Sequence, residues 1–453
     1  MQQQQQKARG IALFPFLLFI IIYLGAGIVL QSMGVDQAFY QFPAPTACLI
    51  GVVVAFIMFK GSIDDKFAVF ARGVGSQDIT IMCMIYLLSG AFATVASTMG
   101  GVDSVVNFAL SVVPVHFITA GLFIVACFMS LATGTSMGTM SALVPIGIGI
   151  AQTGGLNMPL TMAALIGGAM FGDNLSIISD TTIAATRTQG CEMRDKFRLN
   201  GTIALPAAVI TAILLLVMGR PENTEIALEI GSYSVVKILP YLAVLILALV
   251  GMNVFAVLTL GVVFSGVIGF ISGDLTVLSF AKAIYDGMLG MMEVFLTSIF
   301  IGGLAEMVKE EGGIQWLLNK IQKIIKGPKS AEVGIALMVV ATDMAIANNT
   351  VSIIVDGPIA RGIAEEYKVD PRRTASLLDM FACISQGAIP YGAQILMVGS
   401  LTGGAVSALQ VIPLLWYQGL LAVFAIISIF VPFADWPIKK NPWNFEKWEP
   451  MHK

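Results

Sequence analysis

The chain has 453 residues, of which 57% are hydrophobic and 12% charged, and its mean hydropathy is +0.86. A water-soluble fold has no interior large enough for so much apolar side chain, so the class is an all-α polytopic membrane protein. The net charge of -3 excludes little, because the charges lie between the apolar runs.

Residues 1–10 begin MQQQQQ and read as a disordered tail. The first apolar run, IALFPFLLFIIIYLGAGIVL from Ile11, is too long for a signal-peptide core and lacks a small-residue cleavage pattern. It reads as a retained span. Helical segments are expected at 11–31, 43–60, 79–99, 116–132, 136–152, 159–189 and 200–218, within a first transmembrane unit 11–218. Residues 219–234, with Glu222, Glu225 and Glu229, form a hydrophilic linker. A second unit, 235–432, has segments at 235–251, 254–272, 287–308, 331–346, 350–366, 375–402 and 409–432. Residues 433–453 are a C-terminal tail. The five cysteines show no CxxC spacing, and His116 and His452 are too far apart to ligate one ion, so no cofactor or disulfide frame is expected.

The two sets share a rhythm. An offset of about 212 residues places Gly90 on Gly302 and Gly100-Gly101 on Gly312-Gly313. It also places FGDNLSIISDTT (171–182) on CISQGAIPYGAQ (383–394). Basic residues cluster before the first span, between spans two and three (Lys60, Lys66, Arg72), and after Thr182 (Arg187, Arg194, Lys196, Arg198). They cluster again at 309–329, at 361–373 and in the tail, whereas the loops 100–115, 153–158 and 403–408 carry none. All basic loops share one side if each half crosses the membrane an odd number of times. Both termini are then cytoplasmic, and the halves are two inverted-topology repeats, a recurrent plan of secondary transporters.

Segments 116–132 and 136–152 are joined by ATGTS, and 331–346 and 350–366 by IANNT. Each pair reads as a re-entrant hairpin, giving about ten transmembrane helices plus two hairpins; two full crossings fit the charge rule equally. The stretch GGIQWLLNKIQKIIK (312–326) reads as an amphipathic helix on the cytoplasmic interface.

Charge and irregular backbone survive in lipid where they line a cavity or meet a partner. Four polar breaks qualify. The first contains Thr135 and Ser136. The second contains Asp173, Asn174, Ser176, Ser179, Asp180, Thr181 and Thr182. The third contains Asp343, Asn348, Asn349 and Thr350, and the fourth Gln386 and Gln394. Broken helices at midplane free carbonyls that, with Ser, Thr and Asn oxygens, suit Na⁺, and their N-termini suit an anionic group. Asp173 and Asp180 stand seven apart and are the candidate Na⁺ ligands. A carboxylate out of water holds either a proton or a metal ion, so H⁺ and Na⁺ compete for it. Gln386 and Gln394 replace the aspartates at the fourth break, so the two sites are asymmetric.

Plainer roles stand beside these. Asp180 can cap the helix that follows it, Asp173 can pair with a loop arginine, and Asp343 can pair with a neighbouring helix. Thr135, Ser136 and Asn348 can bond the preceding turn or glue helices. Asp356, before Gly357-Pro358, reads as a loop or cap residue near the cytoplasmic end. Glu306 reads as an interface residue, and Glu293 as a candidate for a proton path.

The signature Gly172, Asp173, Ser176, Ser179, Asp180, Thr181 and Thr182 resembles that of the NhaC family of Na⁺/H⁺ antiporters. Members often carry a lysine after the first aspartate and a proline after the first serine, where this chain has Asn174 and Ile177. The absent lysine removes a fixed internal cation. The resemblance implies secondary transport in the inner (cytoplasmic) cell membrane, with Na⁺ and H⁺ as the ions moved. Related transporters move amino acids or small carboxylates with Na⁺ or H⁺, and that alternative stays open. An intramembrane aspartyl protease is disfavoured, because Tyr285-Asp286 and Gly172-Asp173 reverse the expected motif order. No phosphate-binding loop suggests ATP coupling, no enzyme activity is expected, and no nucleic acid is an expected partner. The oligomeric state is left open, a homodimer included.

Overall fold

The computed structural model describes residues 8–33, 35, 41–176, 179–221, 231–250 and 252–451. The tail up to residue 7, the linker residues Glu222, Glu225 and Glu229, Ile177 and His452 lie outside the described residues.

The first half runs α1 (Phe14–Ser32), α2 (Ala44–Met58), α3 (Ile63–Val74), α4 (Gln77–Thr98), α5 (Gly101–Val112), α6 (Val115–Thr133), α7 (Ser136–Thr153), α8 (Met158–Leu175), α9 (Asp180–Gln189) and α10 (Met193–Met218). The second half runs α11 (Val235–Leu249), α12 (Val254–Ser272), α13 (Val277–Gly290), α14 (Met292–Glu310), α15 (Gly313–Gln322), α16 (Pro328–Ile346), α17 (Asn349–Tyr367), α18 (Pro371–Ala388), α19 (Ala393–Leu401), α20 (Ala408–Val411), α21 (Trp416–Phe430) and α22 (Trp436–Lys440). A short hairpin pairs Trp443 with Pro450 and Asn444 with Glu449. Six helices are long and apolar enough to cross a bilayer, or up to nine if each of three bent pairs is one span, among the described residues. The protein is a multi-pass membrane protein.

The start signals recur between the halves. Asn157 caps α8 and Asp370 caps α18, each followed by a proline at the helix start. Each of these helices has 18 residues and stops at a short break, 176–179 and 389–392, before a shorter helix. The turns between α6 and α7 and between α16 and α17 each begin with a left-handed residue, Gly134 (φ 70) and Ala347 (φ 53). Thr135 and Asn348 then cap the returning helices. The left-handed backbone is free for Gly134 and costs Ala347 about 1–2 kcal/mol, so tertiary packing holds the second turn.

Packing is reciprocal. α4 lies against α12 and α13, while α14 lies against α2 and α3. A Cβ on Gly90 would sit 2.1 Å from the Gly287 carbonyl oxygen, and one on Gly73 would sit 2.2 Å from that of Gly302. Gly90 and Gly302 are the pair that the offset superimposes, so each half offers its glycine to the other in the same way.

α8 is buried from Leu160 to Leu175, which makes it the centre of the bundle. The outer helices show the opposite pattern. Leu205, Val209, Ile213 and Val217 of α10 are all exposed at four-residue spacing, an apolar stripe that only lipid satisfies. At one end of the bundle Arg9 meets Glu311 (2.7 Å) and Arg72 meets Glu310 (3.0 Å). At the other, Lys237 meets Asp274 (2.6 Å) and holds its carboxyl below the usual carboxylate range.

Two expectations need correction. Residues 100–115 are not a loop: left-handed Gly100 starts α5, whose Val106 and Leu110 are buried. The amphipathic helix ends at Gln322, and Ile314 and Leu318 on its apolar face are buried in the protein, close to Gly10 and α16. The C-terminal residues pack as well. The Trp448 indole donates to the Gln189 carbonyl (2.8 Å), and the Arg361 guanidinium lies over its ring at 4.7 Å.

Candidate functional site

A cavity of about 100 Å³ lies where the two breaks and the two hairpin turns converge. Ser136, Asp173, Asp180 and Thr181 line it from the first half. Asn348, Asn349, Thr350, Gln386 and Gln394 line it from the second. Thr135 lines it too, and Ile81, Met82 and Ile85 of α4 close an apolar side. A larger hollow of about 910 Å³ shares Ile81, Gly134, Thr135, Asp180 and Thr350 with it and ends at Gln77, Arg187 and Asn253. The N-termini of α7, α9, α17 and α19 all reach the inner cavity, through Ser136, Asp180, Asn349 and Ala393. The positive dipole ends of these helices favour an anion, while the carbonyls that end α6, α8, α16 and α18 favour a cation.

Asp173 is the buried carboxylate of this cavity. Its Oδ2 accepts from Ser136 Oγ at 3.1 Å and its Oδ1 from Ser179 Oγ at 2.8 Å. Ser179 and Thr181 share a hydrogen bond of 2.7 Å. On the other side Gln394 donates to Ser136 (3.1 Å), and Gln386 donates to Gln394 (3.1 Å). One polar chain thus crosses from the second half to the first. Among the described residues the hydrogen-bond donors to Asp173 are hydroxyls, and no ion pair holds it. Two hydroxyl donors do not repay the desolvation of a full negative charge, so the site calls for a cation.

Asp180 differs from Asp173. It is exposed, at the first position of α9 where the cavity meets the outer hollow. Both aspartates line one cavity, but they do not face one another as a buried pair. α9 and α19 begin at Asp180 and Ala393, so Gln394 falls level with Thr181, and only Gln386 takes an aspartate's place.

Asn174, Ser176 and Thr182 lie behind the cavity wall and hold the break together. Thr182 Oγ1 donates to the Ser176 carbonyl (2.6 Å) and accepts from Lys196 (2.6 Å). Lys196 Nζ also donates to the Asn174 carbonyl (2.5 Å) and pairs with Asp379 Oδ2 at 2.8 Å, both side chains sealed from solvent. Asn174 and Asn200 each donate to the same Asp379 oxygen at 2.9 Å. Lys196 is therefore not a loop cation, because α10 begins at Met193 and carries it into the core. A buried cation from α10 thus stands beside Asn174, against its backbone carbonyl. Asp379 was missed although a lone carboxylate in the run LLDMFACISQ is a signal.

Asp343 does not line the cavity with Asn348, Asn349 and Thr350; its Oδ2 accepts from Ser385 Oγ on α18. Asn348 and Asn349 accept bonds at the start of α17, from the backbone amides of Val351 and Thr350. Asp356 is not near a helix end. It is fully buried within α17, which continues through Gly357 and Pro358. Glu306 sits between Lys309 (3.3 Å) and Arg72 (3.9 Å), as an end-of-bundle ion pair.

The Na⁺/H⁺ antiporter family matches residues 8–220 and 222–434. This chain belongs to that family. It is 24% identical to the Na⁺/H⁺ antiporter NhaC of Bacillus subtilis (strain 168), over 80% of this chain and 84% of that one. It is also similar to the malate-2H⁺/Na⁺-lactate antiporter of the same strain (21% identical, 96% of this chain, 98% of that one). The arginine/ornithine antiporter ArcD of Halobacterium salinarum is 23% identical over 97% of this chain and 95% of its own. Among solved structures, the YdaH transporter of Alcanivorax borkumensis aligns over 94% of this chain and 99% of that one, with 12% identity and a TM-score of 0.44. The family is one of transporters, not enzymes.

Proposed function

We propose that this antiporter-family chain exchanges Na⁺ for H⁺ across the inner (cytoplasmic) cell membrane, by competition of the two ions for Asp173. The observation that carries the reading is the burial of Asp173 against hydroxyl donors alone among the described residues, in a cavity that opens through Asp180. A proton neutralises the carboxylate directly. A Na⁺ ion does the same through its charge, with Ser136, Ser179 and Thr181 oxygens completing a hard-oxygen cage. Either cation makes the site neutral, and an empty ionised site is too costly to cross a dry barrier, which couples the two fluxes. Asp180 at the mouth draws cations inward.

The topology behind this is ten spans: α1, α2, α4, α8–α9, α10, α11, α12, α14, α18–α19 and α21. α6–α7 and α16–α17 are re-entrant hairpins whose tips meet at midplane, and the two halves are inverted. The matched helix boundaries and the reciprocal Gly90–Gly287 and Gly73–Gly302 approaches support this plan. Both termini and Arg72, Arg187 and Arg361 are then cytoplasmic, and the outer hollow faces the cytoplasm.

The second reading is transport of an amino acid or small carboxylate with Na⁺ or H⁺. Four helix N-termini around about 100 Å³ of space exceed what one Na⁺ needs, and they suit a small organic carboxylate. Reconstituted protein separates the two. Antiport predicts that an imposed Na⁺ gradient moves protons with no solute added, and that Asp173→Asn stops it. Proton movement only when an amino acid or carboxylate is added would replace the first reading with the second.

A further inference from the structure

Behind the cavity wall lie two carboxylates that the exchange at Asp173 does not use. Asp343 and Asp356 are each 0% exposed, on α16 and α17. Thr342, the neighbour of Asp343 on α16, donates to Asp356 Oδ1 at 3.0 Å, so the two carboxylates come together where α16 packs on α17. Ser385 of α18 donates to Asp343 Oδ2. The remaining oxygens, Asp343 Oδ1 and Asp356 Oδ2, are buried and have no hydrogen-bond partner among the described residues.

The charges around them do not help. Among the described residues no lysine or arginine pairs with either carboxylate, and Lys196 is held by Asp379. Of the other titratable groups nearby, the Tyr391 hydroxyl donates to the Met344 carbonyl (2.6 Å), and Cys383 is a buried thiol of α18. Two adjacent carboxylates cannot both stay ionised in such a place without a cation between them. Asp379, by contrast, has its cation built in.

We infer that Asp343, Asp356, Thr342 and Ser385 form a second monovalent-cation site, which holds Na⁺ and is otherwise protonated. Three helices supply two carboxylates and two hydroxyls, a donor set of hard oxygens with two of them free. The site stands one turn from the cavity: Ser385 precedes cavity-lining Gln386, and Asp343 lies one turn before the Ala347–Asn348 turn. The inference rests on the Na⁺ reading above and adds to it that each chain binds two Na⁺.

The test is equilibrium binding of ²²Na⁺ to the purified full-length chain, with monodispersity checked for each variant. Wild type should bind two ions, Asp173→Asn one, and Asp343→Asn/Asp356→Asn one. Combining all three substitutions should bind none. Thr342→Val keeps both charges and should keep the count but weaken one of the two affinities about tenfold, the loss of one neutral oxygen ligand and of its hydrogen bond to a carboxylate. Equal Na⁺ counts for wild type and Asp343→Asn/Asp356→Asn would overturn the second site and leave the Asp173 reading standing. A wild-type chain with no saturable Na⁺ would overturn both.

Discussion

Lys196 Nζ lies 2.8 Å from Asp379 Oδ2, and the same ammonium donates to the Asn174 carbonyl and the Thr182 hydroxyl on either side of the α8–α9 break. One buried cation from α10 thus fixes both ends of the break to a helix of the other half. Removing one partner leaves the other charge unpaired, at a cost of about 3–5 kcal/mol. Lys196→Met should therefore sharply lower thermal stability in detergent. Lys196→Met/Asp379→Leu, which removes both charges, should recover most of that stability but exchange slowly, because the break has lost its anchor. A double variant with wild-type stability and wild-type exchange would show the pair to be dispensable for transport.

The two aspartates of the signature should behave differently. Asp173→Asn keeps the size and the hydroxyl contacts but loses the charge, so Na⁺-driven proton movement in proteoliposomes should fall to the background of empty vesicles. Asp180 is exposed at the mouth, where charge is screened by water. Asp180→Asn should retain exchange and raise the Na⁺ concentration for half-maximal rate several-fold, more so at low ionic strength. Equal loss in both variants would place the two carboxylates in one binding site.

Much of this arrangement was legible in the residues. Glycine, hydroxyl and carboxylate in apolar runs gave the four breaks, because lipid leaves such groups few other places. The 212-residue offset gave the pairing of the halves, since the helix starts at Ser136 and Asn349 follow the same capping logic. Lys196 was hidden by its neighbours: within DKFRLN it reads as one more loop cation, and only its position on α10, facing Asp379, buries it. Asp356 was hidden by Gly357-Pro358, which signal a turn in water. In α17 they continue a helix, and the Gln189 amide meets the Gly357 carbonyl at 2.8 Å. Asp343 went to Ser385 rather than to its sequence neighbours because the α16–α17 turn directs those neighbours into the cavity. These are tertiary facts that no local pattern carries.

The sidedness proposed for the outer hollow can be read by thiol labelling. Thr188 lines the hollow and Asn107 lies near Gly231 at the opposite end. In a Cys191→Ser background, Thr188→Cys should react with a membrane-impermeant maleimide in inside-out vesicles and be protected in right-side-out ones. Asn107→Cys should show the reverse. Matching accessibility for both positions in one vesicle orientation would contradict inverted halves with a cytoplasmic hollow.

The C-terminal hairpin offers a separate check, because it joins the two elements on which the site depends. Trp448 bonds the Gln189 carbonyl at the end of α9 and lies under Arg361 of α17, while Trp443 and Phe445 lie under Arg372 and Lys368. α9 carries Asp180 and α17 carries the second hairpin turn, so the hairpin restrains their spacing from below. An indole hydrogen bond and a partly desolvated cation–π contact contribute about 1–3 kcal/mol together. Trp448→Ala should lower the melting temperature by a few degrees and raise the labelling rate of Thr188→Cys, with Na⁺ binding at saturation unchanged. Trp448→Phe keeps the ring beneath Arg361 but not the indole donor, and should fall between the two. If Trp448→Ala labelled Thr188→Cys at the wild-type rate, the hairpin would be a passive tail with no hold on α9.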